Sequence, residues 1–221
     1  MAPLGFQGFR NRDTAWFRRS SAGIHEPPCQ DGSMEIITER LRLREFTISD
    51  VGSVHEFASD PRVCAFVEWG PNTLADSTAF ISDCLAEQLV HPRTTWTLAI
   101  TQDAQVIGSI ALVCGASNLL EHASDAEIGF VLRAESWGLG YVTEAATALA
   151  AAAGEKLGIT RLLATCRPDN IGSVRVLEKL GLLRIGYLRG HKLIDGVARD
   201  SVVFARSLAS VNPAALSIRE A

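Results

Sequence analysis

One stretch of this chain restricts its fold more than any other. Glu127-Ile-Gly-Phe-Val-Leu-Arg133 is a short apolar run of strand type, and it feeds Ala-Glu-Ser-Trp137-Gly138-Leu139-Gly140 and then Tyr141-Val142-Thr143-Glu144. The residues that follow repeat apolar positions at helical spacing, Val142, Ala145, Ala146, Leu149, Ala153 and Leu157, so a strand passes through a glycine loop directly into a helix. Such a loop presents consecutive backbone N–H groups at the positive end of a helix, which suits an anion such as a pyrophosphate. Gly138 and Gly140 carry no side chain that would hold phosphate oxygens away from the backbone. A tight strand-to-helix turn would look the same, so the pattern needs support from elsewhere. Two nucleotide motifs are excluded: a P-loop would place Lys where Tyr141 stands, and a dinucleotide fingerprint would place Gly or Ala at Thr143.

The rest of the chain alternates strand and helix periods. Arg40 to Phe46 alternates strictly, with Leu41 and Leu43 on one face. Ser49-Asp50 caps a helix that runs to about Ser59 and stops at Asp60-Pro61, and a second helix spans about Leu74 to Val90. Trp96–Ile100 and Val106–Val113 read as a hairpin. Arg161–Cys166 is a strand, Asn170–Leu180 a helix with Gly181 at its C-cap, and two last strands, about 183–193 and 197–207, meet at Asp195-Gly196. These elements predict an α/β domain over residues 34–207, built on one mixed sheet of about seven strands with about four helices. Residues 1–33 hold scattered arginines, Gly, Ser and Pro without periodicity, and read as a disordered tail or an upstream start; 208–221 reads as a C-terminal tail.

Composition narrows the function classes. A hydrophobic fraction of 47% with 21% charged residues fits a soluble globular domain, and no apolar run reaches the roughly 20 residues of a membrane span. The formal charge of -4 and the absence of a basic stripe argue against direct nucleic-acid binding. Cys29, Cys64, Cys84, Cys114 and Cys166 are odd in number and nowhere spaced C-x-x-C, which predicts reduced thiols in a cytoplasmic protein and no metal site.

With these segments in order, the chain resembles the GNAT superfamily of N-acetyltransferases over about Ile36 to Arg206. Trp137-Gly-Leu-Gly-Tyr-Val-Thr-Glu-Ala145 is similar to its phosphate-binding signature. Thr38-Glu-Arg-Leu-Arg-Leu-Arg44, the Asn170 to Gly181 helix, Leu188-Arg-Gly-His191 and the Asp195-Gly196 to Asp200 stretch resemble its branch that acetylates ribosomal-protein N-termini at alanine or serine. The resemblance implies a GNAT-like, mostly antiparallel sheet and acetyl-CoA as co-substrate, with no metal. The acceptor would be a primary amine, on a protein N-terminus or a small molecule, and the chain a monomer or homodimer. It implies that the backbone of Gly138, Leu139, Gly140, Tyr141, Val142 and Thr143 holds the pyrophosphate, that the strand ending at Arg133 pairs with pantetheine, and that Asn170 touches the same arm. It places the oxyanion donor at the Val131 N–H. Glu127 would be the general base, and Ser173 the proton donor to the thiolate, because Leu177 stands where many relatives carry Tyr. His191 would be a substrate-side acid or base, and Phe66, Trp69 and Trp137 would wall the amine pocket. Ordinary roles compete with these: Asn170 as an N-cap, Glu127 as an edge carboxylate, Ser173 as a first-turn serine, His191 as a structural strand residue and the aromatics as core. A non-catalytic acyl-CoA-binding module on the same fold is the alternative function, and Cys166 has no local His or acid to make it a nucleophile.

Overall fold

The computed structural model describes residues 33–115, 119–194 and 196–208. The expected tails, residue 33 and residue 208 apart, lie outside these residues, as does Asp195 of the last hairpin. Eight strands form one sheet: β1 (Ile36–Ile37), β2 (Arg42–Glu45), β3 (Thr95–Gln102), β4 (Gln105–Cys114), β5 (Asp125–Leu132), β6 (Arg161–Cys166), β7 (Leu183–Ile194) and β8 (Val197–Ser207). The α-helices among the described residues are α1 (Val51–Ala58), α2 (Pro61–Cys64), α3 (Leu74–Glu87), α4 (Tyr141–Leu157) and α5 (Ile171–Lys179).

The sheet order is β1-β2-β3-β4-β5-β6-β8-β7. Neighbours are antiparallel except β5 and β6, which are parallel because α4 returns the chain across the sheet between them. The class is the expected one, with one more strand and one more helix than the periodicity suggests. β1 is only two residues long, too short to show alternation, and exists through its pairing with β2. α2 is a single turn: Asp60-Pro61 follows the end of α1 as expected, but Pro61 also occupies a first helical position, and Asp60 caps the new turn by accepting the Arg62 N–H. α3 stops at Glu87, short of the expected Val90, with Leu89 and Val90 exposed.

Alternation along the strands feeds a core on each face. On one face Ile110, Leu112, Ile128 and Leu132 pack with Ala145, Ala146, Leu149 and Ala153 of α4 and with Val174 and Leu177 of α5. The small alanine side chains let α4 lie close to the sheet. On the other face Phe46, Ala99, Val106 and Val131 pack with Val54 and Phe57 of α1 and Phe80 and Ile81 of α3. Leu149 and Ile81 are both 0% exposed, so truncating either to Ala would cost about 2–5 kcal/mol.

Candidate active site

The site begins where β5 and β6 part. Their pairing runs only through Asp125↔Arg161, Ala126↔Leu162 and Glu127↔Leu163, after which β5 continues beside β4 alone. The root of this fork is tied by Asp125, which is buried and accepts two hydrogen bonds from Arg161 (3.1 and 2.6 Å) and the N–H groups of Glu121 and His122. Burial pushes its carboxyl pKa up, but the Arg161 guanidinium and the two N–H donors outweigh this and hold it below the usual range.

Two cross-strand bonds fix which way the backbone faces. Cys114 N–H donates to the Thr94 carbonyl, and Arg133 N–H donates to the Ile107 carbonyl. Backbone groups alternate sides along a strand, and the β4–β5 register is unbroken from Gly108↔Leu132 to Cys114↔Ala126. Glu127, Gly129, Val131 and Arg133 therefore turn their N–H and C=O groups to β4, while Ile128, Phe130 and Leu132 turn theirs to the open fork. This corrects the expectation for Val131: its N–H belongs to the ladder with Ser109, and the Phe130 N–H faces the gap instead.

Side chains follow the same alternation. Glu127 lies on the face of α1 and α3, half-buried, and its Oε1 accepts the Thr165 hydroxyl at 3.1 Å. Among the described residues no cation pairs with it within salt-bridge distance. A cleft of about 150 Å³ opens here, lined by Glu127, Phe130, Val131, Asn170 and Ser173 together with Phe66 and Trp69. That space is smaller than the roughly 300 Å³ at which ligand pockets begin, so it suits the end of a ligand rather than a whole nucleotide. Asn170 is the N-cap of α5, its Oδ1 accepting the Ser173 N–H at 3.0 Å. The cap leaves its amide NH₂ for other partners. Leu177 is packed in the core at 1% exposure.

Several residues of the cleft carry no motif in the sequence. The 65–69 loop is strapped from two sides: Lys192 Nζ pairs with Glu68 Oε1 at 3.0 Å, and Arg167 donates to the Ala65 carbonyl at 3.3 Å while lying 5.4 Å from the Phe66 ring centre. Thr165, Lys192 and Ser201 also line the space. Only the parallel β5–β6 register brings Thr165 to Glu127, and only the β7–β8 hairpin brings Lys192 to Glu68, so neither pairing has a local signal.

His191 and Trp137 stand outside the cleft lining. His191 sits in the bulge between Leu188 and Lys192, which aims its ring at Ser201, with Nδ1 3.0 Å from that hydroxyl. Burial, helped by Lys192 and opposed by Glu127 and Glu68, lowers its pKa and favours the neutral ring. Trp137 does not wall the amine pocket. Its indole N–H donates to the Leu132 carbonyl at 2.8 Å and half of it is exposed, so it closes the far end of the free β5 edge. Cys166 reaches the cleft, but burial pushes its thiol up to about 11, far from a thiolate at neutral pH.

Beyond Trp137 the loop turns on two glycines in the left-handed region, Gly138 at φ 76° and Gly140 at φ 82°. Gly140 is the N-cap of α4 with no capping side chain, so the first N–H groups of the helix are left to an outside acceptor. A Cβ on Gly138 would meet nothing within 4 Å. Space does not require that glycine; its backbone angle does. Leu139 is exposed, Tyr141 is buried with its hydroxyl 2.6 Å from Gln102 Nε2, and Val142 packs against the core. Thr143 offers its carbonyl to Thr147, and Arg133 Nε donates to Ser136 Oγ at 2.9 Å. What these residues share with a phosphate site is their backbone.

No helix among the described residues is long and apolar enough to cross a membrane. No group of three or more His, Cys, Asp and Glu among them is arranged to hold a metal ion.

Comparison with known proteins agrees with this architecture. The family described as the acetyltransferase (GNAT) domain matches residues 40–183. The uncharacterized N-acetyltransferase YnaD of Bacillus subtilis is 31% identical over 71% of this chain and 86% of its own length. A GNAT-family acetyltransferase from Bacillus anthracis superposes with a TM-score of 0.67 at 27% identity, covering 79% of this chain and 98% of that one. At 21% identity, Mycobacterium smegmatis RimJ, solved with a CoA disulfide, shares the fold over 76% of this chain and 82% of its own with a TM-score of 0.66. A fork between parallel strands, a carboxylate beside it, a left-handed glycine loop at its end and these likenesses together place the chain in the GNAT acetyltransferase family, as an N-acetyltransferase.

Proposed function

We propose that this enzyme takes the acetyl group of acetyl-CoA and transfers it to a primary amine by direct attack in a ternary complex, with Glu127 as general base. The observation that carries the reading is the fork itself. It leaves the β6 side of Phe130 and Leu132 without a strand partner, next to a Glu127 carboxylate that pairs with no cation among the described residues. The amide-rich pantetheine arm would fill that edge as an added strand. Its pyrophosphate would lie on the N–H groups of residues 138–143, and the Asn170 NH₂ is free to reach the arm. The residues fit the ligand: the glycine angles expose backbone donors at a helix end, and Glu144 on the first turn of that helix is paired with Arg40.

The fork also separates the two reactants. α5 and the even-numbered side chains of β5 lie on one face of the sheet, Glu127 on the other. Thioester and amine therefore approach from opposite faces and meet in the gap. An aliphatic amine has a pKa of about 10.4 and an α-amine about 8, so the nitrogen must be deprotonated before or as it attacks. Glu127 accepts that proton, directly or through a water. The nitrogen lone pair forms the C–N bond and the carbonyl becomes an oxyanion, which the Phe130 N–H is oriented to stabilise. Collapse breaks the C–S bond; as the amide forms, the nitrogen gives up its second proton, which reaches the CoA thiolate through the Ser173 hydroxyl or a water, leaving that relay as it began. A neutral His191 behind Ser201 contributes no positive charge that would repel the ammonium form of the substrate.

The acceptor class, a protein N-terminus or a small amine, is open to a direct test. A panel of both kinds would be incubated with acetyl-CoA, with CoA thiol release and product mass followed together. Amine-dependent thiol release and intersecting double-reciprocal plots support the ternary mechanism; parallel plots, or an acetylated enzyme, would replace it with a covalent one.

A further inference from the structure

We infer that Arg40 is a positioning residue for the cofactor: it holds the 139–140 peptide with its N–H toward the pyrophosphate and cancels the charge of Glu144 beside it. The inference rests on the assignment of residues 138–143 to the pyrophosphate. Arg40 precedes β2 and reaches the loop across 99 positions of sequence. Its Nη1 donates to the Leu139 carbonyl at 3.0 Å, its Nε and Nη2 reach Glu144 Oε2 at 2.7 and 2.6 Å, and its guanidinium lies 4.7 Å from the Tyr141 ring centre. The other Glu144 oxygen accepts the Arg40 backbone N–H at 2.9 Å and the Thr38 hydroxyl at 2.6 Å.

Peptide geometry turns this contact into a statement about the ligand. In a planar trans peptide the carbonyl and the next N–H point in opposite directions. A Leu139 carbonyl drawn to Arg40 therefore sends the Gly140 N–H the other way, into the loop's open side. Gly140 itself tolerates either backbone orientation, so without the tether a flipped peptide would present a carbonyl oxygen to the phosphate. Charge adds a second reason. Burial pushes the Glu144 carboxyl up, but the Thr38 hydroxyl and the Arg40 N–H and guanidinium outweigh it and keep it ionised. A bare carboxylate on the first turn of α4 would repel a phosphate at the helix end; paired with Arg40 it does not.

The test uses the full chain and two donors, acetyl-CoA and S-acetylpantetheine, which lacks the pyrophosphate and nucleotide. Arg40→Gln should raise the acetyl-CoA Kd, measured by calorimetry, roughly tenfold or more, the size of a lost charge-assisted hydrogen bond. Its kcat/KM for S-acetylpantetheine should stay close to that of the unaltered enzyme. Adding Glu144→Gln should recover part of the loss, because the uncompensated carboxylate is then gone. Equal losses with both donors would mean a merely structural role, and no loss with acetyl-CoA would overturn the inference outright. No recovery in the double variant would remove the charge argument. If Arg40→Gln fails to fold, Arg40→Lys decides: it keeps the charge but not the fork, and undiminished acetyl-CoA affinity would refute the positioning role. Failure of the unaltered enzyme to bind acetyl-CoA would instead refute the phosphate-loop assignment itself.

Discussion

Gly140 separates backbone strain from phosphate chemistry in one position. Its φ of 82° lies where an L-residue pays about 1–2 kcal/mol, and a Cβ there would stand 3.5 Å from Arg40 Nη2, an ordinary contact. Gly140→Ala should therefore fold, with a Tm lower by roughly 2–8 °C for a domain of this size. Gly140→Asp carries the same strain, eased because Asp tolerates the left-handed region, and adds a charge beside the bound pyrophosphate. A carboxylate about 6 Å from two phosphate charges, at an effective dielectric of about 40, costs roughly 3 kcal/mol, or about a hundredfold in affinity. The new carboxylate would also compete with Glu144 and the Leu139 carbonyl for Arg40, in the same direction. Calorimetry with acetyl-CoA on both variants, beside their melting curves, reads the two effects separately. The expected order is native, Ala, then Asp with by far the largest loss. A folded Gly140→Asp that binds acetyl-CoA within threefold of the native protein would refute the phosphate cradle.

Other outcomes follow from contacts already described. Asp125→Ala should lower stability by about 2–4 kcal/mol, less than a wholly buried pair because Arg161 is 31% exposed, and chemical denaturation would measure it. Since the folded pKa of Asp125 is depressed, its contribution is fully present above about pH 4 and fades as pH falls through the lower folded value; the native and Ala curves should converge in acid. A chain beginning at Met34 should melt near the temperature of the full chain, because Met34 is itself core and its N–H already donates to Glu45 Oε1 at 3.3 Å. Ser173→Ala should lower kcat modestly while leaving acetyl-CoA affinity nearly intact, since a thiol of pKa about 8.5 leaves tolerably without help.

Much of the molecule is readable in its residues, and the exceptions have a common cause. The glycine loop is legible because Gly138 and Gly140 meet a local backbone demand, and α4 because its apolar positions follow one period. Asn170 is legible as a cap from its place before α5, and Asp60-Pro61 misleads only because the same pair that ends α1 also begins a turn. The direction of the Val131 N–H is a different matter. Periodicity assigns side chains to faces, but which backbone groups meet β4 depends on register, and register here is fixed by Arg133 bonding Ile107 across the sheet. The Trp137 indole has a similar history: an aromatic beside a cleft reads as a wall until the Leu132 carbonyl claims it. Thr165, Glu68, Lys192 and Arg167 come from segments far apart in sequence, and only the parallel fork and the final hairpin unite them. His191 is displaced by a bulge that Gly190, in the left-handed region, permits.

The central claim is that Glu127 takes the proton of the attacking amine, and the pH–rate profile of Glu127→Gln tests it most directly. Gln preserves the size of the side chain and its contact with the Thr165 hydroxyl, so binding of acetyl-CoA should persist. With the best amine of the panel, kcat/KM should fall about a hundredfold to ten-thousandfold at neutral pH and recover toward the native rate as the pH nears the pKa of the amine, where the nitrogen loses its proton to solvent. Full native rate in Glu127→Gln across the whole pH range, with His191→Ala abolishing activity, would put the base on β7 and contradict the account.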